Sequence, residues 1–299
     1  MKQQIKSSLI LLLTATIWGV AFVAQSVGME YIGPFTFNAI RCVLGGLVLI
    51  PVILVLKKKK ETGAENQKKE DKKTLWAGGI ACGVILCIAS NLQQFGIMEA
   101  SVGKSGFFTA LYIVMIPVIG IFIGKRPGIK LWFCVALAVV GMYLLCMKDG
   151  SFTIERADIM LLLCALAFSF HILVVDYFSP RVDGVKMSCI QFFVCGVLSA
   201  VGMLFTETPD ISNIQAAWLP LLYAGLLSCG VGYTLQIVGQ KGINPVIASL
   251  IMSLESVISA LAGWVILGQV LSPKEILGCI LMFVAIIITQ IPIGNKKTD

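Results

Sequence analysis

The sequence predicts an all-α integral membrane protein of ten transmembrane helices, arranged as two inverted five-helix repeats. Three observations lead there: the bulk composition, the length of the apolar blocks, and an internal repeat. Of 299 residues, 58% are hydrophobic and 13% are charged, whereas a soluble domain carries roughly 25% charged residues. A water-soluble chain of this size could not hide that much apolar surface in one core.

The apolar residues fall in blocks of about 20, the length that crosses roughly 30 Å of hydrocarbon at 1.5 Å per residue. The first five helices are expected at Ser7–Val27, Pro34–Leu56, Thr74–Ile97, Gly103–Ile123 and Ile129–Met147. The second five are expected at Ala157–Phe178, Met187–Phe205, Gln215–Val238, Pro245–Leu267 and Lys274–Ile293. Pro34, Pro245 and Pro273 stand at or just before helix starts, where the missing N–H costs nothing. Pro51 and Pro117 fall inside apolar runs, which membrane helices tolerate when neighbours satisfy the freed carbonyl. Gly79-x-x-x-Gly83 and Gly120-x-x-x-Gly124 have the small-residue spacing of close helix packing. Lys2 and Lys6 before an apolar run resemble a secretory signal, but the run is too long and no small-x-small cleavage site follows it. It reads as a retained first helix.

Basic residues set the expected orientation. With the N-terminus inside, 18 of the 23 Lys and Arg residues lie on the cytoplasmic side, including the eight lysines between Lys57 and Lys73. Positive residues are retained on that side during insertion. Both termini are therefore expected in the cytoplasm, with the protein in the cell membrane. The net charge of +7 then reflects topology, and the lysine run between two helices is a topogenic anchor facing headgroups with no nucleic-acid partner implied.

Ten cysteines all fall within helices, none in a CxxC pair, and the chain has one histidine. No Cys/His metal site can be assembled at a recognisable spacing, and buried thiols behave as small hydrophobes. No Walker motif is present. No metal, organic cofactor or structural disulfide is expected.

Shifting the chain by 143 residues lays Leu92-Gln93-x-x-Gly96 on Leu235-Gln236-x-x-Gly239 and pairs Leu111 with Leu254, Val114 with Val257, Gly120 with Gly263 and Ile123 with Ile266. Helix boundaries agree with the shift. The units are 1–150, which includes the lysine-rich loop 57–73, and 151–299. Five helices per unit is odd, so the second unit enters the membrane from the opposite side. Such inverted repeats are an architecture of alternating-access transporters, whose solute site lies near the midplane between the halves.

Local motifs add a family resemblance. They are Thr16-Ile17-Trp18-Gly19-Val20-Ala21-Phe22, Arg41 before a Gly/Leu-rich stretch, Ser101 through Tyr112 (SVGKSGFFTALY), Ala167-Phe168-Ser169-Phe170-His171-Ile172, and Ala248 through Val257 (ASLIMSLESV). In this order and spacing the chain resembles the EamA-type branch of the drug/metabolite transporter superfamily, two EamA units covering nearly all of it. The resemblance implies inverted five-helix halves, cytoplasmic termini, and export or exchange of a small metabolite or drug-like solute. Two departures matter. Leu254-Glu255-Ser256-Val257 stands where many relatives have Leu-Glu-Pro-Val, so no proline enforces a helix break there. Gly268-Gln269 stands where many have Gly-Glu, which removes a loop-proximal carboxylate.

Polar residues inside apolar helices are the candidate solute-binding groups, because their insertion is costly and they usually face a cavity or a partner. Glu255 and its repeat counterpart Tyr112 both fall near the midplane. Ser105, Thr109 and Tyr112 share one helix face. Trp18 forms either a cavity wall or packing. Lys104, at the outer end of the fourth helix, either snorkels or serves the function that its motif implies. His171 either relays protons or packs as a neutral hydrogen-bonding side chain. Asn91 and Gln94 share a face of the third helix, and Tyr233, Gln236 and Gln240 form a stripe on the eighth; both groups either bridge helices or touch solute. The expected cavity lies among the first, third, fourth, sixth, eighth and ninth helices. Few charges point into it, which suits a small neutral, zwitterionic or weakly charged compound.

The expected function is secondary transport of a small organic solute, with the lipid bilayer as the other partner and a homodimer as a possible assembly. A channel would need a carbonyl filter or rings of charge, and an intramembrane serine enzyme a strained Gly-x-Ser-x-Gly turn. Neither feature is visible, and no enzymatic activity is expected.

Overall fold

The computed structural model describes residues 2–62, 71–124, 127–146, 155–268 and 272–290. Part of the lysine-rich loop (63–70), Lys125, Arg126, Lys148, Gln269, Lys296 and Lys297 lie outside the described residues. Every regular element among the described residues is helical. They are α1 (Lys2–Gly28), α2 (Pro34–Thr62), α3 (Lys72–Glu99), α4 (Val102–Ala110), α5 (Tyr112–Phe122), α6 (Ile129–Cys146), α7 (Arg156–Phe178) and α8 (Gly184–Thr206). After them come α9 (Ile211–Ala216), α10 (Trp218–Leu222), a π-helical segment (Tyr223–Tyr233), α11 (Thr234–Gln240), α12 (Pro245–Met252), α13 (Glu255–Leu267) and α14 (Pro273–Gln290).

Eight helical stretches are long and apolar enough to cross a bilayer. Four of them, α1, α2, α3 and α7, are continuous, and α8 is a fifth continuous one. The other three join α4 to α5, α10 to α11 through the π-helical segment, and α12 to α13. Shorter apolar helices occupy Ile129–Leu144 and Ile276–Ile288, within α6 and α14. The surface is that of a multi-pass membrane protein turned to lipid. Leu9, Leu54, Val55, Phe122, Phe205 and Val265 are exposed, while Gln25, Asn38, Arg41, Gln94, Ser169, His171 and Gln191 are buried.

Close packing follows small residues. Cβ atoms added at Gly79 and Gly83 of α3 would lie 2.5 Å from Ile190 and 2.6 Å from Val194 of α8, so this pair admits α8 as its spacing predicts. Gly124 acts differently. No atom of the other described residues lies within 4 Å of the place its Cβ would take, and its φ is +78°. It terminates a helix in the left-handed region that glycine enters without penalty.

Helices α2 and α8 pack against each other with opposed directions. Glu207, just past the end of α8, accepts bonds from the backbone N–H groups of Phe35 and Thr36 at 2.8 Å each and from the Thr36 hydroxyl at 2.6 Å. These are orphan donors of the first turn of α2, and a carboxylate there also meets the positive end of the helix dipole.

Two helices are interrupted at positions 143 residues apart. The first breaks at Leu111, between α4 and α5, where Leu111 N–H bonds the Phe108 carbonyl at 3.2 Å in a tightened turn. Pro117 in α5 removes a donor and crowds the carbonyl four residues earlier, which favours a kink on this side. The second breaks at Ser253 and Leu254, between α12 and α13, although no proline is present. Here Ser249 Oγ donates to the Val246 carbonyl at 2.9 Å and Ser253 Oγ to the Leu250 carbonyl at 2.8 Å. Serine hydroxyls bonded back one turn bend helices. The Pro-to-Ser departure thus does not remove the break.

A candidate solute cavity

The break at Leu254 makes Glu255 the first residue of α13, and the break at Leu111 makes Tyr112 the first residue of α5. The two meet: Tyr112 Oη donates to Glu255 Oε1 at 3.0 Å. Both side chains are buried, and both line a narrow cavity of about 30 Å³, room for about one or two water molecules in this conformation.

The other walls come from α1 (Trp18, Phe22, Gln25), α2 (Arg41), α3 (Gln93), α4 (Thr109), α7 (Phe168, Ile172), the π-helical segment (Ser228, Tyr233) and α11 (Gln236). Trp18 and Tyr233 form a tilted ring pair with centroids 4.6 Å apart. Trp18 reaches this position because the facing residue is Gly232, where a Cβ would lie 2.7 Å from the indole nitrogen. The indole donates to the Ser228 carbonyl at 3.4 Å. π-Helical turns are frequent at functional sites. On α1, Gly19 faces the other break: a Cβ there would lie 2.9 Å from the Glu255 carbonyl oxygen. The Trp18-Gly19 motif thus brings α1 against the π-helical segment and against the break of α13.

Five of the residues singled out in the sequence come together here: Trp18, Tyr112, Tyr233, Gln236 and Glu255. Four are placed elsewhere. Lys104 bonds both Glu155 and Asp158 at 2.9 Å, tying the start of α4 to the start of α7. His171 Nε2 stands 3.1 Å from Gln191 Oε1, and its ring meets the edges of Phe168 and Tyr233 from behind the cavity wall. Asn91 accepts from Asn38 at 2.9 Å and donates to Ser199 at 3.0 Å and to the Cys87 carbonyl at 2.8 Å. Its bonds bridge α2, α3 and α8. Gln94 is fully buried, and neither of its amide atoms has a hydrogen-bond partner among the described residues. From the shared face on the fourth helix, Thr109 lines the cavity and Ser105 does not.

Sequence reasoning missed Arg41 and Gln25. Arg41 is 2% exposed, and its Nη1 donates to Gln25 Oε1 at 2.7 Å. Its guanidinium carbon stands 5.6 Å from the Phe37 ring centroid. The wall carries one guanidinium, Arg41, beside the expected carboxyl of Glu255. The available signal was a basic residue eight positions into an apolar helix with no acidic residue three or four positions away. An ionised side chain within an apolar helix is costly and calls for a cavity or a partner. No group of three or more His, Cys, Asp or Glu residues placed to hold a metal occurs among the described residues.

Known proteins resemble the whole chain. The model of the EamA-like transporter family matches residues 5–147 and again 155–291. An uncharacterized transporter of Archaeoglobus fulgidus is 28% identical over 282 residues, covering 94% of this chain and 84% of that one. The uncharacterized transporter YwfM of Bacillus subtilis is 24% identical and covers 97% and 96% of the two chains. A protein crystal structure with a TM-score of 0.77 and 18% identity spans 95% of this chain and 96% of its own, which establishes a shared fold.

Proposed function

This chain belongs to the EamA-like transporter family, and on that premise we propose that it carries a small organic solute across the cytoplasmic membrane by alternating access, for export or exchange. Ten crossings form two inverted five-helix halves, 1–150 and 151–299, with both termini in the cytoplasm. In this reading α6 and α14, which carry the shorter apolar stretches, supply the fifth and tenth crossings.

The observation that carries this reading is the hydrogen bond between Tyr112 and Glu255, residues 143 positions apart. The repeat shift found in the sequence is the same number. Residues related by a two-fold axis touch only close to it, so this bond supports a reading in which the axis runs near the cavity. Gln93 and Gln236, a second pair with the same separation, also line it. The opposed directions of α2 and α8, secured by Glu207 on the first turn of α2, agree with halves that enter from opposite sides. A site on such an axis is equally near both faces, and rocking one half against the other opens it to each in turn. Glu255 either binds a positive group of the solute or carries the coupling proton.

The test uses the compound whose level falls most in cells that overproduce the protein. In proteoliposomes it should enter saturably and be accelerated by the same compound inside. Flux that never saturates would mean a channel, and formation of a product an enzyme. Side-specific labelling of Lys72→Cys and Asp210→Cys, which stand at equivalent loops of the two halves under the 143-residue shift, should occur from opposite faces. Labelling of both from one face would refute the inverted halves.

A further inference from the structure

We propose that Arg41 is the anion-binding group of the cavity and that the carried solute bears one carboxylate on a flat, apolar body. The proposal rests on the carrier function above and specifies its substrate.

Arginine stays ionised at any accessible pH, so the guanidinium of Arg41 is a permanent charge buried among membrane helices. Its surroundings leave that charge without a counter-ion. One bond goes to the neutral amide of Gln25, one face meets the Phe37 ring, and Nε has no hydrogen-bond partner. Among the described residues Arg41 has no ion-pair partner; the acidic pair near the mouth of α7 is bound to Lys104. Buried polar groups are ordinarily satisfied, and buried charges are ordinarily paired. A cation left with free donors on the wall of a cavity is therefore a site that waits for an anion. Its planar fork of donors fits a carboxylate through two parallel bonds.

The remaining wall restricts the anion. Glu255 lines the same cavity, and a doubly charged group would meet one cation and one carboxyl, so a single negative charge is the better match. The Trp18–Tyr233 ring pair and the Phe168 ring present aromatic faces on which a flat apolar body stacks. Gln25 holds the guanidinium in place, which pre-organises the fork before solute arrives.

Three probes of one shape separate charge from shape: 3-phenylpropionate, 3-phenylpropanamide and 3-phenylpropylamine, titrated calorimetrically into the purified full-length protein. The carboxylate should bind saturably and at least tenfold tighter than the amide, with the amine weaker still. Arg41→Gln should abolish the preference of carboxylate over amide. Arg41→Lys, which keeps the charge without the fork, should keep the preference with about tenfold weaker binding. Thermal unfolding of each variant checks its fold, and if Arg41→Gln does not fold, the wild-type ranking and Arg41→Lys decide. The proposal is overturned if the amide or amine binds as well as the carboxylate, if none of the three binds, or if folded Arg41→Gln keeps the preference. Failure of the carrier reading looks different: the carboxylate binds through Arg41, yet no compound shows counterflow in proteoliposomes.

Discussion

The helix made of α4 and α5 and the one made of α12 and α13 break at equivalent places by different chemistry. In the first, Pro117 lies six residues beyond the break and withdraws a backbone donor. In the second there is no proline, and serine hydroxyls turned back onto carbonyls do the same work. The residues that restart the two helices differ as well. The first restarts on Tyr112, a group that stays neutral near pH 7, and the second on Glu255, a carboxyl. Shape is thus repeated at the two breaks, while a carboxyl stands at one of them only. A carrier built this way can offer both membrane faces the same pathway and still hold a single titratable group at its centre.

The largest effect should come from removing that asymmetry. Glu255→Gln keeps the size and the bond from Tyr112 but cannot ionise, and we expect its transport to fall about 100-fold, on the order of 2–3 kcal/mol for a bond to a charged group. If the group carries the coupling proton, pH-driven flux disappears and exchange survives. If it binds a solute cation, affinity falls at every pH and Glu255→Asp partly restores it. Normal affinity, rate and pH dependence in folded Glu255→Gln protein would reduce this residue to scaffold.

Exchanging the two groups probes the axis itself. Tyr112→Glu alone faces two carboxyls and Glu255→Tyr alone faces two phenols. Each should cost about 1–3 kcal/mol of stability, because a buried polar partner is lost or repelled. The double exchange restores one phenol against one carboxyl and should recover at least half of that loss, read as coupling in a double-mutant cycle. Additive losses would mean that the two positions are not equivalent.

Proline sharpens the comparison of the breaks. Ser256 is the second residue of α13, where proline is better tolerated than deeper in a helix, and Ser256→Pro gives up the Oγ bond to the Gly106 carbonyl at 2.9 Å and the backbone N–H bond to the Ser253 carbonyl at 3.1 Å. A cost of about 2 kcal/mol is expected. Ala260→Pro, one turn deeper in a continuous helix, should cost about 3 kcal/mol or more. Thermal unfolding that ranks them the other way would mean that the helix is not broken at Leu254.

The smallest effects belong to the cluster that joins α4 to α7. Glu155 is well exposed, with 59% of its side chain accessible, so Glu155→Gln should shift stability by less than about 1 kcal/mol. Asp158 is 3% accessible and also accepts from the Glu155 backbone N–H at 3.0 Å. Asp158→Asn should cost more than its neighbour in the same melting experiment.

Much of this was legible in the sequence because it depends on length and period. Apolar blocks marked the helices, and the 143-residue shift paired Gln93 with Gln236 and Tyr112 with Glu255 before any geometry was known. Depth in a helix was a weaker guide, since it says how costly a polar group is and not what it faces. Asn91 and His171 are as deep as the cavity groups, but their bonds go to Asn38, Ser199 and Gln191 on neighbouring helices. Arg41 failed the other way: counting along the helix put it toward one end, while its bond to Gln25 turns it into the cavity. The break at Leu254 was hidden because proline is a loud signal and back-bonded serine a quiet one.

Alternating access to one cavity on the axis is most directly tested at Thr109, which lines the cavity opposite Gln93, with the amide Nε2 3.4 Å from its hydroxyl. In protein whose native cysteines are replaced and whose transport is retained, Thr109→Cys should react with a membrane-impermeant thiol reagent applied from either face, and transported solute should slow both reactions. Reaction from one face only, with and without solute, would contradict alternating access.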